Sequence, residues 1–422
     1  MRSISNNYNF IDCAVTLPYS KSIVNRLMVI HHLSGGKNIS GFLSDSADTV
    51  VMQNLLLKIS DQNIQSDTIT EINVGNAGTV MRFLTAVLTI TPGKWMITGT
   101  ERMQLRPVKP LTDALQSLGA DLKFKNIPGY PPVQIIGNPN LQGGKVRLNA
   151  GISSQFISAL MMLGPVLNGG IEIELIGEII SGSYIRMTQS LMQKVGAEVN
   201  FSSNKIKIEE KKYNEFDFST VVEPDWSAAA FWYQVVAFSS GAKVILKDLR
   251  SESVQGDSVL PAIYENLGVK TIFTEDGLRL KSGEPALTEF NYDFTECPDL
   301  AQAVIVTCAA LGIKGHFTGL KTLRVKETDR IAALSNELTK LGYGVDVVDD
   351  EIFLNGTLSK VRSDHSAVVV KCYDDHRMAM SFATLALLRK DMCLDEPDVV
   401  KKSYPGFWKD MAMAGFSFVD VD

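Results

Sequence analysis

Two short stretches of this 422-residue chain hold most of the groups able to move protons beside groups able to grip anions. In RVKETDR, Lys326, Glu327 and Arg330 stand together, and in CPDLA the carboxylate of Asp299 lies just ahead of an apolar run. Other cations occupy comparable places: Lys21 and Arg26 in SKSIVNR, Arg82 in GNAGTVMR, Arg106 in RMQLRP, Arg377 beside His376 in DDHRMAM, and Lys402. Carboxylates and a lysine can carry general acid–base work, and several guanidinium groups can hold phosphate or carboxylate. Each has a plain alternative. Glu327 and Arg330 could be a solvated pair on a helix face, Asp299 a helix cap, and His376 a structural histidine.

The elements that must position these groups repeat along the chain. Six segments share one plan, a short polar or Gly-rich loop followed by an apolar helix: YSKSIVNRLMVIHHL, GNAGTVMRFLTAVL, ISSQFISALMML, EPDWSAAAFWYQVVAF, CPDLAQAVIVTCAAL and YDDHRMAMSFATLALL. With Ser22, Thr79, Ser154, Trp226, Asp299 and His376 as markers, they recur about every 75 residues after a shorter first interval. A glycine then breaks the helix, and an alternating run such as KWMITG, IEIELIG or KVILKDL predicts a strand. Next comes a second, amphipathic helix that ends on Gly119, Gly196, Gly268 or Gly342. The unit reads strand–helix–strand–helix–strand–strand, six times over with the first copy shortened. Evenly spaced helices alone would not explain why polar residues gather at the same point of each copy.

A helix N-terminus exposes unpaired N–H groups and a partial positive charge. One polar loop there is ordinary capping. Several such loops carrying basic residues, against the dipole, point to bound anions. The chain is acidic overall, with 41 Lys and Arg against 47 Asp and Glu, which excludes a globally basic nucleic-acid surface. Its 45% hydrophobic and 21% charged residues are ordinary globular values, and its length suggests two or three domains.

Five cysteines without a CxxC pair argue against a disulfide scaffold or a zinc site and for a reducing compartment. MRSISNNYNF lacks a signal-peptide core, and no apolar run approaches the roughly 20 residues that span a bilayer. A cytoplasmic chain without membrane or nucleic-acid partners is expected. GxxxxGK[ST], a plausible GxSxG triad and HExxH are all missing, and GNAGT is too short for a dinucleotide fingerprint. Neither metal nor organic cofactor is expected.

SKSIVNR, GNAGTVMR, ERMQLRP, SSQFISAL, SGSYI, QGD, CPDLA, RVKETDRIAAL, DDHRMAM and KKSYPGF, in this order, resemble the 3-phosphoshikimate 1-carboxyvinyltransferase (EPSP synthase) family over essentially the full length. The resemblance implies an α/β, two-domain enolpyruvyl-transferase-like fold: six βαβαββ units, three per domain, around a central cleft. One domain would span 20–222, and the other 1–19 with 223–422, the latter including the first strand of the chain. It implies transfer of the enolpyruvyl group of phosphoenolpyruvate to the 5-hydroxyl of shikimate 3-phosphate, with release of phosphate, on the way to chorismate and the aromatic amino acids.

By the same resemblance, Lys21, Ser22, Arg26, Ser153, Ser154, Gln155, Ser181, Tyr184, Asp299 and Lys326 would contact shikimate 3-phosphate. Lys21, Asn76, Gly78, Arg106, Gln155, Arg330, His376, Arg377 and Lys402 would contact phosphoenolpyruvate. Asp299 would take the proton of the 5-hydroxyl, and Glu327 with Lys21 would manage the proton at the methylene carbon. A monomer that closes on its substrates is expected. Gly78 matches the family glycine that leaves room for glyphosate, so competitive inhibition weakened by Gly78→Ala is expected.

Two positions depart from the family pattern: Pro18-Tyr19-Ser20 replaces a glycine before SKS, and Thr322 stands where asparagine is common. The related UDP-N-acetylglucosamine enolpyruvyl transferases carry a reactive cysteine before an Arg-Pro, and ERMQLRP has none. A noncatalytic anion-binding scaffold would leave Asp299 and Glu327 dispensable.

Overall fold

Runs such as GKWMIT and KVILK bury alternate residues and form strands, as their period of two requires. A computed structural model describes residues 1–6, 10–36, 44–60, 68–217, 222–357 and 367–421. Contacts divide the chain into two units, Lys21–Val222 and Met1–Ser20 with Glu223–Asp422. They are called here the 21–222 and the 223–422 unit. The chain leaves the latter after Ser20, whose N–H donates to Glu223 O at 2.9 Å.

The N-terminal strands β1 (Arg2–Asn6) and β2 (Asp12–Val15) belong to the 223–422 unit. The 21–222 unit begins with α1 (Lys21–Leu33) and α2 (Ala47–Ile59); the strands expected in this shortened copy lie outside the described residues. The second copy contains β3 (Ile69–Asn73), α3 (Gly78–Ile90), β4 (Gly93–Thr98), the short α4 (Glu101–Gln104), α5 (Lys109–Ser117), β5 (Asp121–Phe124) and β6 (Val133–Gly137). The third contains β7 (Gln142–Asn149), α6 (Ser154–Leu163), β8 (Asn168–Ile176), α7 (Gly182–Lys194), β9 (Val199–Ser202) and β10 (Lys205–Ile208).

In the 223–422 unit the fourth copy contains α8 (Trp226–Ala237), β11 (Lys243–Lys247), α9 (Leu260–Asn266), β12 (Val269–Thr274) and β13 (Gly277–Ser282). The fifth contains β14 (Glu289–Asp293), α10 (Ala301–Ala310), β15 (Lys314–Thr318), α11 (Arg330–Lys340), β16 (Val345–Val348) and β17 (Glu351–Asn355). The sixth contains β18 (Val368–Val370), α12 (His376–Ala383), β19 (Met392–Leu394), α13 (Phe407–Met413) and β20 (Phe416–Asp420).

Among the described residues there are five four-stranded sheets with one recurring order: β3-β4-β6-β5, β7-β8-β10-β9, β2-β11-β13-β12, β14-β15-β17-β16 and β18-β19-β1-β20. In each, the first pair is parallel and the other pairs are antiparallel. Not one but two N-terminal strands complete this pattern. β2 supplies the first strand of the fourth copy, and β1 takes the place beside β19 and β20 that the sixth copy cannot fill itself. An open gap there would leave unpaired backbone groups at a sheet edge.

The first helix of each complete copy is buried all round. Eleven residues of α3 are buried, and α10 is buried from Ala301 to Ala310. Such a helix belongs in a core, and polar chemistry can be presented mainly from its start. The second helices, α5, α7 and α11, bury one face only.

Candidate active site

In the 223–422 unit the predicted residues converge on Arg330, the first residue of α11, which is 1% exposed. Its Nε donates to Asp375 Oδ2 at 2.7 Å, its Nη1 to Asp299 Oδ1 at 3.1 Å and its Nη2 to Glu327 Oε2 at 2.9 Å. Burial opposes the Arg330 charge, but Asp375, Glu327 and Asp299 more than reverse that and hold it protonated. Asp329 caps α11 by accepting from Ala332 N–H at 3.1 Å, which turns Arg330 inward.

Asp299 lies in a single 3-10 turn, Pro298–Leu300, that leads into α10. Its carboxylate meets three cations: Arg330, Arg377 Nη2 at 3.1 Å and Lys326 Nζ at 3.8 Å. Arg377 Nη1 also donates to Asp299 O at 3.1 Å. Burial lowers the Lys326 pKa, with Asp299 acting against the shift.

His376 and Arg377 open α12, capped by Asp375, whose Oδ1 accepts from Arg377 N–H at 2.8 Å. Asp375 is fully buried and serves the cap and Arg330 at once. His376 is 2% exposed, with Nδ1 4.0 Å from Asp375 Oδ1. Lys402 ends another 3-10 helix and donates to Asp374 O at 2.7 Å. Thr322 is buried, and its hydroxyl has no hydrogen-bond partner among the described residues.

In the 21–222 unit, α1 starts at Lys21, whose Nζ pairs with Asp48 Oδ2 at 2.9 Å. Arg26, one turn on, is 2% exposed and donates to Ser22 O at 2.8 Å, Thr188 Oγ1 at 2.7 Å and Ser158 Oγ at 3.1 Å. All three are neutral oxygens, and burial lowers the Arg26 pKa to about 10. Its guanidinium also lies over the Tyr184 ring at 5.7 Å.

At the start of α3, Arg106 Nη1 donates to Asn76 O at 3.4 Å and Arg82 Nη1 to Gly78 O at 3.1 Å. A Cβ at Gly78 would come within 2.5 Å of Arg106 Nη2 and 2.9 Å of Arg82 Nη1. Ser153 caps α6, accepting from Gln155 N–H at 3.3 Å; Ser154 is buried, and Gln155 Nε2 donates to Thr79 Oγ1 at 3.0 Å. Ser181 precedes α7 in the left-handed region, with φ 58°.

The expected residues thus form two groups, one in each unit. Asp299, Lys326, Glu327, Arg330, His376, Arg377 and Lys402 share one network or adjoin it. Lys21, Ser22, Arg26, Asn76, Gly78, Arg106, Ser153, Ser154, Gln155, Ser181 and Tyr184 lie at or near the starts of α1, α3, α6 and α7. The helix-start cations are not left to await anions throughout: Asp48, Asp299, Asp374 and Asp375 neutralise several. Arg26 is held by neutral groups instead.

Sequence reasoning missed Asp375, although YDDHR placed two acids before a helix start, and it missed Asp48. It also gave no role to Asp257 of QGD. Asp257 is 4% exposed and accepts a hydrogen bond from the Ser227 hydroxyl. Burial first, then the charge of Asp299, pushes its carboxyl up to about 7.

The family model for EPSP synthase (3-phosphoshikimate 1-carboxyvinyltransferase) matches residues 7–411. A 3-phosphoshikimate 1-carboxyvinyltransferase of Bacteroides fragilis is 44% identical over 417 residues, covering 99% of this chain and 98% of the relative. The enzyme of that name from Sulfurovum sp. is 34% identical over 420 residues, covering 95% and 96%. A solved EPSP synthase from Acinetobacter baumannii superposes with a TM-score of 0.70 at 20% identity, over 99% of this chain and 100% of that one, and so shares the fold.

Proposed function

The chain belongs to the EPSP synthase (3-phosphoshikimate 1-carboxyvinyltransferase) family, and we propose here which of its residues carry out the family's reaction. The enzyme transfers the enolpyruvyl group of phosphoenolpyruvate to the 5-hydroxyl of shikimate 3-phosphate and releases phosphate.

Addition forms the bond between the 5-oxygen and C2 of phosphoenolpyruvate while a proton joins the methylene carbon. Elimination then breaks the bond from C2 to the phosphate oxygen and removes a proton from the resulting methyl group. Asp299 takes the hydroxyl proton, and Glu327 with Lys21 serves the carbon. Each such transfer is worth about 10²–10⁴-fold. Fixing the two reactants in register is worth more, roughly 7–11 kcal/mol of the barrier.

Arg106, Arg330, Arg377, Lys402 and His376, with Asn76, Gly78 and Gln155, hold phosphoenolpyruvate. Lys21 and Gln155 serve both substrates. Ser22, Arg26, Ser153, Ser154, Ser181, Tyr184 and Lys326 hold shikimate 3-phosphate. Arg26 supports that assignment, because among the described residues its buried guanidinium donates to neutral oxygens, which leaves its charge for a ligand.

The observation that carries the reading is the set of cations on Asp299. The phosphate and carboxylate groups of phosphoenolpyruvate compete with Asp299 for Arg330 and Arg377, so their binding frees carboxylate oxygens of Asp299 for the acceptor hydroxyl.

The test separates binding from chemistry. Asp299→Asn and Glu327→Gln should still bind shikimate 3-phosphate in calorimetry while turnover falls about 10²–10⁴-fold. Either variant turning over at the native rate would remove that residue from the mechanism. The reading extends to a cytoplasmic monomer. All five cysteines are free, as a reducing compartment allows, and sedimentation at catalytic concentration reports the mass.

A further inference from the structure

Glu337 is a buried carboxylate that the mechanism above leaves unused. It lies on α11 and is 1% exposed. Its Oε1 accepts from the Tyr373 hydroxyl at 2.8 Å, and its Oε2 accepts from the Lys371 N–H at 3.1 Å and from Lys340 Nζ. Lys340 also donates to Val369 O at 3.0 Å. Arg330 stands two turns earlier on the same face of α11, bonded to Asp375 at 2.7 Å. One helix face therefore grips both ends of the segment between β18 and α12.

That segment is conformationally demanding. Tyr373 and Asp374 both adopt left-handed backbone, with φ 57° and 52°. Non-glycine residues persist there only where the surroundings over-determine them. Cys372 N–H donates to Asp395 at 2.7 Å, Asp374 N–H to Glu396 at 2.9 Å, and Lys402 reaches Asp374 O at 2.7 Å. The next residues are Asp375, His376 and Arg377.

We infer that Glu337 and Tyr373 are a positioning pair for this reaction, pinning the 371–375 loop to α11 so that His376 and Arg377 stand in register with Arg330. Neither side chain needs to touch substrate. The inference rests on reading Arg330, His376 and Arg377 as the phosphoenolpyruvate contacts. A sub-ångström shift of the loop would separate guanidinium groups that must engage one anion together, so the effect should fall on that substrate alone.

Tyr373→Phe and Glu337→Gln are measured beside Arg377→Ala, by steady-state kinetics and thermal melting. Tyr373→Phe should raise KM for phosphoenolpyruvate on the order of tenfold, leave KM for shikimate 3-phosphate unchanged, and add little in the Arg377→Ala background. Glu337→Gln should move the same KM further. If it fails to fold, Tyr373→Phe still decides. A purely structural role would lower the melting temperature and leave the ratio of the two KM values unchanged, which would overturn the inference. Arg377→Ala raising KM for phosphoenolpyruvate while Tyr373→Phe does not would remove the positioning pair alone. Arg377→Ala without effect would remove the assignment of Arg377, and the pair with it.

Discussion

Gly78 shows how little room a single residue can leave. A methyl group there would meet Arg106 and Arg82 before it met any ligand, so Gly78→Ala must push two guanidinium groups aside. The variant is therefore expected to weaken glyphosate and, through Arg106, to raise KM for phosphoenolpyruvate. Inhibition and substrate kinetics on both proteins check this, and equal inhibition constants would refute the steric account.

Asp257 gives a second residue-scale prediction. Its folded pKa of about 7 lies above its ordinary 3.8, so the folded state holds a proton that the unfolded chain releases. The stability this supplies at low pH is lost as pH rises through the folded value. Asp257→Asn cannot ionise, so its stability advantage over the native chain should grow between about pH 5 and about pH 8. Urea unfolding at both values reports it, and an advantage that does not change with pH would contradict it.

At the scale of elements, the apolar first helices and the polar residues at their starts were legible, because a helix buried all round can offer side chains to a ligand mainly from its first turn. The glycines ending second helices were legible for a similarly local reason. Gly119 and Gly268 have φ of 92° and 87°. Gly119→Ala meets nothing within 4 Å and should cost only the left-handed backbone, about 1–2 kcal/mol. Gly268→Ala also meets Gly283 O at 2.8 Å and should cost more. Melting temperatures of the two variants would rank them, and equal losses would contradict the ordering.

What stayed hidden was contact between distant segments. β1 pairs Arg2 with Asp420 and with Leu394, and nothing local in RSISN announces either partner. Asp48 as the partner of Lys21, and Asp375 as the partner of Arg330, were hidden likewise. Charge type can be read from a sequence, but pairing depends on which helix starts the fold brings side by side. Glu327 and Arg330 do pair, but Glu327 lies ahead of α11 rather than on a helix face, and Arg330 is buried rather than solvated, which changes the meaning of the pair.

At the scale of the whole molecule, residues of both units are assigned to the same two substrates, so binding is expected to draw the units together. Small-angle scattering should show a smaller radius of gyration with shikimate 3-phosphate plus glyphosate than without ligand. An unchanged radius would count against closure. The most direct measurement is phosphate release by the purified protein given phosphoenolpyruvate with one acceptor at a time. Release should require shikimate 3-phosphate and collapse in Asp299→Asn. Release sustained by UDP-N-acetylglucosamine, or undiminished in the variant, would contradict the assignment of substrate or of base.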